Sequence, residues 1–188
     1  MCRLLKGFKV VVSGFVLCVV LGFALSYADT TYDLLEAAYQ GNIYVVNDLL
    51  DSGVSVNSKD ADGRTALFTA AINGKSEVAR LLLSKGASIN LRDNKNSTAL
   101  HAAALKGNVE TIRLLLDSGA DIYARAENNM TVLMMAAIGG SSEAVRFLIG
   151  KGAEINARAE NGKTALDFAY QVGFPEVAGI LQQAGASR

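Results

Sequence analysis

Short apolar runs, each closed by a glycine, alternate along most of this chain. Thr65-Ala66-Leu67-Phe68-Thr69-Ala70-Ala71 is one such run. Glu77 to Ser84 is the next, with Val78, Leu81, Leu82 and Leu83 supplying an apolar face. The first run predicts a helix over 65–73 that Gly74 ends, and the second a helix over 77–84 that Gly86 ends. Asp62-Gly63-Arg64 ahead of them is a turn signal, and Thr65 stands where a helix N-cap belongs. The pattern then repeats. Thr65, Thr98, Thr131 and Thr164 are 33 residues apart. Glycine keeps that period twice, at Gly41, Gly74, Gly107, Gly140 and Gly173, and at Gly53, Gly86, Gly119, Gly152 and Gly185. A fixed period of this length predicts one helix–turn–helix unit stacked in a row. Helices this short are marginal alone in water, so each unit depends on its neighbours.

Five units follow, over about 29–59, 60–92, 93–125, 126–158 and 159–188. The end units read as caps. Tyr32 replaces the threonine in the first. In the last, Gln182 takes the place of the apolar Leu83, Leu116 and Ile149, as suits a helix with nothing stacked beyond it. Pro175, the only proline, falls at the start of a helix, where its missing N–H costs least.

These residues resemble the ankyrin repeat, and the resemblance covers residues 32–186. Thr98-Ala99-Leu100-His101 and its echoes match the family's opening run. Gly86-Ala87-Ser88-Ile89-Asn90, Gly119-Ala120-Asp121-Ile122-Tyr123 and Gly152-Ala153-Glu154-Ile155-Asn156 match its closing run. Ala66, Ala99, Val132 and Ala165 stand where the family has a proline. The resemblance implies an all-α solenoid with short β-hairpin-like loops and a non-catalytic role in protein recognition. It also implies that Tyr39, Ile72, Leu105 and Ile138, near the ends of successive first helices, line a concave groove. The fifth unit has Gln171 at that position. Met135 adds adaptable surface nearby, and Arg64, Lys95 and Met130 form the expected rim. The alternative for the apolar row is packing against the neighbouring helix.

The start of the chain differs in kind. Arg3, Lys6 and Lys9 precede an apolar Val10–Leu21, and Ser26-Tyr27-Ala28 sets small residues before Asp29. This is the layout of a secretory signal peptide over residues 1–28; the alternative is an N-terminal membrane anchor. Both cysteines, Cys2 and Cys18, lie in this leader, so the remainder has neither a disulfide nor a thiol nucleophile. Losing three of 18 basic residues leaves 15 against 18 acidic. That balance argues against nucleic-acid binding.

Chemistry adds little. His101 is the only histidine, and a catalytic or metal role needs partners that the sequence lacks. No cofactor is expected and no metal. The resemblance makes His101 a structural residue bonded to the hairpin. Glu77 and Arg80, Glu110 and Arg113, and Glu143 and Arg146 are spaced for ion pairs along successive second helices. Lys59, Arg92, Arg125 and Arg158 share one position in four units, a basic ladder that faces either an acidic partner or nearby acids. The expected protein is therefore an exported, periplasmic, monomeric binding module. It would inhibit, scaffold or protect an envelope protein, and it would not hold the membrane once its leader is removed. The alternative class is an accessory protein that binds a small ligand or supports stress resistance.

The leader makes a direct prediction. The intact mass of the exported protein should correspond to a chain starting at Asp29; a mass that keeps residues 1–28 would make it an anchored protein.

Overall fold

The computed structural model describes residues 27–187. All of the expected leader but Tyr27 and Ala28 lies outside the described residues, as do both cysteines. Ten α-helices follow in order: α1 (Tyr27–Gln40), α2 (Ile43–Asp51), α3 (Ala66–Ile72), α4 (Ser76–Ser84), α5 (Ala99–Lys106), α6 (Val109–Asp117), α7 (Val132–Gly139), α8 (Ser142–Gly150), α9 (Ala165–Val172) and α10 (Pro175–Gln183). They form five helix pairs in two layers. The odd-numbered helices pack in sequence as an inner layer and the even-numbered ones as an outer layer. The expected cut after Ala28 falls in the first turn of α1. Among the described residues no helix is long and apolar enough to cross a membrane.

The period of the sequence becomes a period of the core. Leu34, Leu67, Leu100, Leu133 and Leu166 hold one buried row in the inner layer. Val46, Ala79, Ile112, Val145 and Ala178 hold another in the outer layer. The inner helices approach closely because their facing residues are small: Ala38, Ala71, Ala104 and Ala137 are wholly buried. The equivalent residue of the fifth unit is Tyr170, bulky and 43% exposed. No further helix could approach that face as closely.

Threonine and glycine do the local work assigned to them. The hydroxyls of Thr65, Thr131 and Thr164 accept hydrogen bonds from the backbone N–H groups of Phe68, Met134 and Asp167. The two glycine rows differ in purpose. A Cβ on Gly107 would lie 2.6 Å from Ser141 Cβ, so this glycine serves both a positive φ of 68° and a close approach between units. Gly86 has a positive φ of 86° but nothing within 4 Å, so only its backbone conformation asks for glycine.

The loops are hairpin-like without forming strands; among the described residues only an isolated bridge, Arg125 to Thr131, is present. Their tips are tied along the stack. The N–H groups of Asn94, Glu127 and Glu160 donate to the carbonyls of Asp62, Lys95 and Asn128 in the preceding hairpin, at 2.9, 2.9 and 2.8 Å. A second tie comes from asparagine. The side-chain oxygens of Asn57, Asn90 and Asn156 accept the N–H groups of Ser88, Asp121 and Ser187 one unit on, at 2.8, 3.0 and 2.8 Å. Tyr123 occupies this position in the third unit and cannot do the same. There an ion pair between Arg125 and Glu154 joins the two units instead.

Only the first of the expected ion pairs along the outer helices forms, Glu77 to Arg80 at 3.7 Å. Arg113 lies over the Phe147 ring instead. Lysines reach across units: Lys85 to Asp51 at 2.7 Å, and Lys151 to Asp117 at 3.2 Å. The hydrogen bond from Lys85 holds the Asp51 carboxyl below the usual carboxylate range.

The asparagine ties generate a matched prediction. Asn90→Ala should lower unfolding free energy by about 1 kcal/mol, and Tyr123→Asn should raise it by a similar amount by supplying the missing bond. Denaturant unfolding of both variants checks this, and a Tyr123→Asn protein no more stable than the parent would show that the ion pair already fulfils the role.

Candidate functional site

The inner helices and the hairpins enclose two adjoining clefts. The larger, about 1000 Å³, runs between α1, α3 and the hairpin of residues 58–64. Its walls include Tyr32, Leu35, Tyr39, Phe68 and Ile72, with Lys59, Arg64 and Lys106 at the edge. The smaller, about 410 Å³, continues over α5 and reaches Met135 of α7. Its walls include Ile72, Lys95, Ala102, Leu105 and Met135. Asp62, Arg64, Phe68 and Ile72 line both, so the two make one continuous concavity.

The structure brings together most of the residues that the sequence singles out. Tyr39, Ile72, Leu105 and Met135 line the clefts, and Arg64 and Lys95 stand at the rim. Tyr39 is 55% exposed, whereas Ile72, Leu105 and Met135 are half-buried. Ile138 and Met130 are half-buried against the core and lie outside both clefts. Arg64 is pinned by Asp60 at 2.9 Å and Asp62 at 2.7 Å. Tyr32, Leu35, Phe68 and Lys106 were not anticipated. Tyr32, 68% exposed, reads in the sequence only as a departure from threonine. Its wide aromatic surface shifts the weight of the concave face toward the first two units.

The comparisons with known proteins agree with this architecture. A family model described as ankyrin repeats in three copies matches residues 34–126, and one described as ankyrin repeats in many copies matches residues 115–169. The chain is an ankyrin repeat protein. Among curated proteins none matches it. Membership makes it a non-catalytic module for protein–protein interaction.

The basic ladder of this ankyrin repeat protein is directed along the stack. Lys59 Nζ donates to the carbonyl of Arg92 at 2.7 Å, and Arg92 donates to the carbonyl of Arg125 at 2.6 Å. Arg125 meets Glu154, and Arg158 donates to Gly162 within its own hairpin at 2.7 Å. Backbone carbonyls, more than neighbouring acids, therefore hold these cations. Hairpins carry carbonyls at the same period as the basic residues, and Lys59, Arg92 and Arg158 each find one.

His101 is buried at the start of α5. Its Nδ1 lies 2.9 Å from the Thr98 hydroxyl and 3.3 Å from the Thr98 backbone nitrogen, closing a capping box. Its Nε2 has no partner at hydrogen-bond geometry. Met134 and Asp167 hold the same position in later units and also accept the N–H of their capping threonine, through Sδ at 3.4 Å and a carboxylate oxygen at 2.9 Å. Four units thus fill one position with four side chains, of which Phe68 alone offers no acceptor. Among the described residues no group of three or more His, Cys, Asp or Glu is placed to hold a metal ion.

Burial, with a smaller contribution from Arg92, pushes the His101 pKa down from 6.5 to about 4, against the opposing pull of backbone groups near Met130 and Ala124 and of Asp93. The native imidazole then stays neutral while the unfolded chain takes up a proton near pH 6.5. Between those values the unfolded state binds more protons, so stability is full above pH 6.5 and falls as pH drops toward 4. The loss from this group should amount to about 3 kcal/mol. Denaturant unfolding at pH 7 and pH 4.5 checks it. His101→Met should show a markedly smaller difference between the two pH values, and an equal difference would assign the loss to other groups.

Proposed function

We propose that this ankyrin repeat protein is exported and grips one folded protein of the bacterial envelope along its concave face. The observation that carries the reading is the continuous concavity, with two exposed tyrosines at its wide end and an apolar floor of Phe68, Ile72 and Leu105. Tyrosine offers large contact area at low entropic cost and is enriched among residues that dominate interface energy. Binding then draws on Tyr32 and Tyr39 as anchors and on Ile72, Leu105 and Met135 as a continuing apolar track. The charged leader followed by an apolar run supports export to the periplasm. The exposed Gln182 and Tyr170 of the last unit, where the other units have apolar or buried residues, support a monomer. The consequence for the partner, whether inhibition, scaffolding or protection, follows from which surface of the partner enters the concavity.

The size of the larger cleft also favours a second reading, a small ligand, since about 1000 Å³ is at the upper end of small-molecule pockets. Its long exposed walls fit a protein surface better, because a small ligand needs to be enclosed on most sides.

The experiment is capture of the partner from the native envelope, identification by mass spectrometry, and titration with purified variants. Tyr39→Arg and Leu105→Arg should each weaken the complex by about 2 kcal/mol, roughly thirtyfold, while keeping a cooperative melt. Leu115→Arg is the folding control. Leu115 is wholly buried, and an unpaired charge there should unfold the stack. Tyr39→Arg and Leu105→Arg proteins that stay folded and bind as before would move recognition off the concave face. A melting temperature raised by a small metabolite with no protein partner would favour the second reading.

A further inference from the structure

We propose that the outer face of the third and fourth units carries a second binding surface, one for an acidic segment of a partner protein in which a carboxylate adjoins an apolar side chain. This surface lies on the even-numbered helices, away from the concavity, and the inference does not rest on the reading given for that face.

It begins with three departures from the repeat. Phe147 stands where the preceding units have Leu81 and Leu114. Gly150 stands where they have Ser84 and Asp117. Val109 stands where the flanking units have Ser76 and Ser142. These residues line a depression of about 440 Å³ between α6 and α8, to which Val109 and Phe147 give apolar surface and Gly150 gives room. Gly150 is the telling residue. It lies inside the last turn of a helix, where glycine is disfavoured. Its φ is not positive, and a Cβ built on it would meet nothing within 4 Å. Neither backbone conformation nor packing asks for glycine here. What the missing side chain does is leave the depression open.

The walls of that depression are basic. The Arg113 guanidinium lies 4.5 Å from the centre of the Phe147 ring, and Lys151 Nζ lies 5.5 Å from it. Lys151 is already held by Asp117. Arg113 and Arg146 form no ion pair among the described residues, although Glu110 and Glu143 are spaced to provide one and Glu143 lines the same depression. A guanidinium stacked on a ring is held in orientation while its N–H edge stays open. Its planar fork matches a carboxylate, and charge-assisted bonds of this kind are stronger than neutral ones. Arg113, held in this way, and Arg146 beside it set the charge of the occupant. The apolar surface of Val109 and Phe147, with the room left at Gly150, sets the neighbouring side chain. The rest of the body carries a slight excess of acid, so this basic patch contrasts with its surroundings and attracts a partner of opposite sign.

The test uses an array of short acidic peptides, each with one apolar residue at a varied position, probed with the full chain. The best peptide is then titrated by fluorescence anisotropy. Arg113→Glu and Arg146→Glu should each weaken binding at least about tenfold. Gly150→Gln, which changes no charge and fills the depression, should do the same. Leu105→Arg in the concavity should leave binding unchanged. The proposal is overturned if no peptide is retained above the level of a chain carrying both Arg113→Glu and Arg146→Glu. It is also overturned if Gly150→Gln binds as the parent does, since the charges would then act without the depression. Loss of binding in Leu105→Arg would overturn it too, by placing the peptide in the concavity.

Discussion

Inner helices of seven or eight residues hold their shape in this protein only because an alanine face of each unit lies against the next. An isolated helix of that length has too few hydrogen bonds to offset the entropy of its first turn. Close approach supplies what the single unit lacks, by burying the leucine row on both sides at once. That approach sets strict local conditions. Alanine must hold the facing positions. Glycine must hold the turn, where a larger residue at Gly107 would strike Ser141. At Gly139 a Cβ would come within 2.1 Å of the Leu105 carbonyl oxygen, so α7 can settle on α5 only because that residue has no side chain. The stack is thus a chain of nearest-neighbour interfaces, and its stability sums over them.

The same constraint explains how much of the fold was legible in the sequence. Thr65 and its three echoes, the two glycine rows and the alanine pairs are all set by conditions that recur in each unit: a helix start, a positive φ and a close approach. A periodic cause leaves a periodic trace, so helix pairs, their boundaries and their number could be read directly. The structure begins α4 at Ser76, one residue before the expected Glu77, which is within the variation of any helix end. Cross-unit partners were less legible. Tyr123 is visibly not asparagine, yet nothing local says that asparagine there would accept a hydrogen bond from 31 residues on. The ladder cations showed their period but not their acceptors, because carbonyls leave no mark in composition.

The candidate site was legible to the extent that it repeats. Tyr39, Ile72 and Leu105 share one register and line the clefts. Ile138 shares the register but lies outside both clefts, which end at Leu105 and Met135. Tyr32 went unrecognised for the opposite reason. It occupies a capping position in every other unit and becomes a groove residue only because α1 extends back to Tyr27, in place of a hairpin. A residue whose role depends on what its unit lacks cannot be found by aligning it with units that have it.

Where the repeat is broken, then, is where this protein departs from a plain stack. Some breaks are settled by the structure itself. Tyr170 replaces a buried alanine and ends close packing; Tyr123 replaces a tie and is compensated by the Arg125–Glu154 pair. Others have no structural compensation. Arg80 keeps its partner on the outer face, while Arg113 gives up the same pairing to lie on Phe147. Lys59 and Arg92 have a carbonyl in the next hairpin, but Arg146 forms no ion pair among the described residues. Charges that close on the stack add to its cohesion and little to recognition. Charges that the stack leaves open, beside apolar surface, are the ones available to a second molecule. On that physical ground we place the outer face of the third and fourth units beside the concave face as a proposed surface for binding.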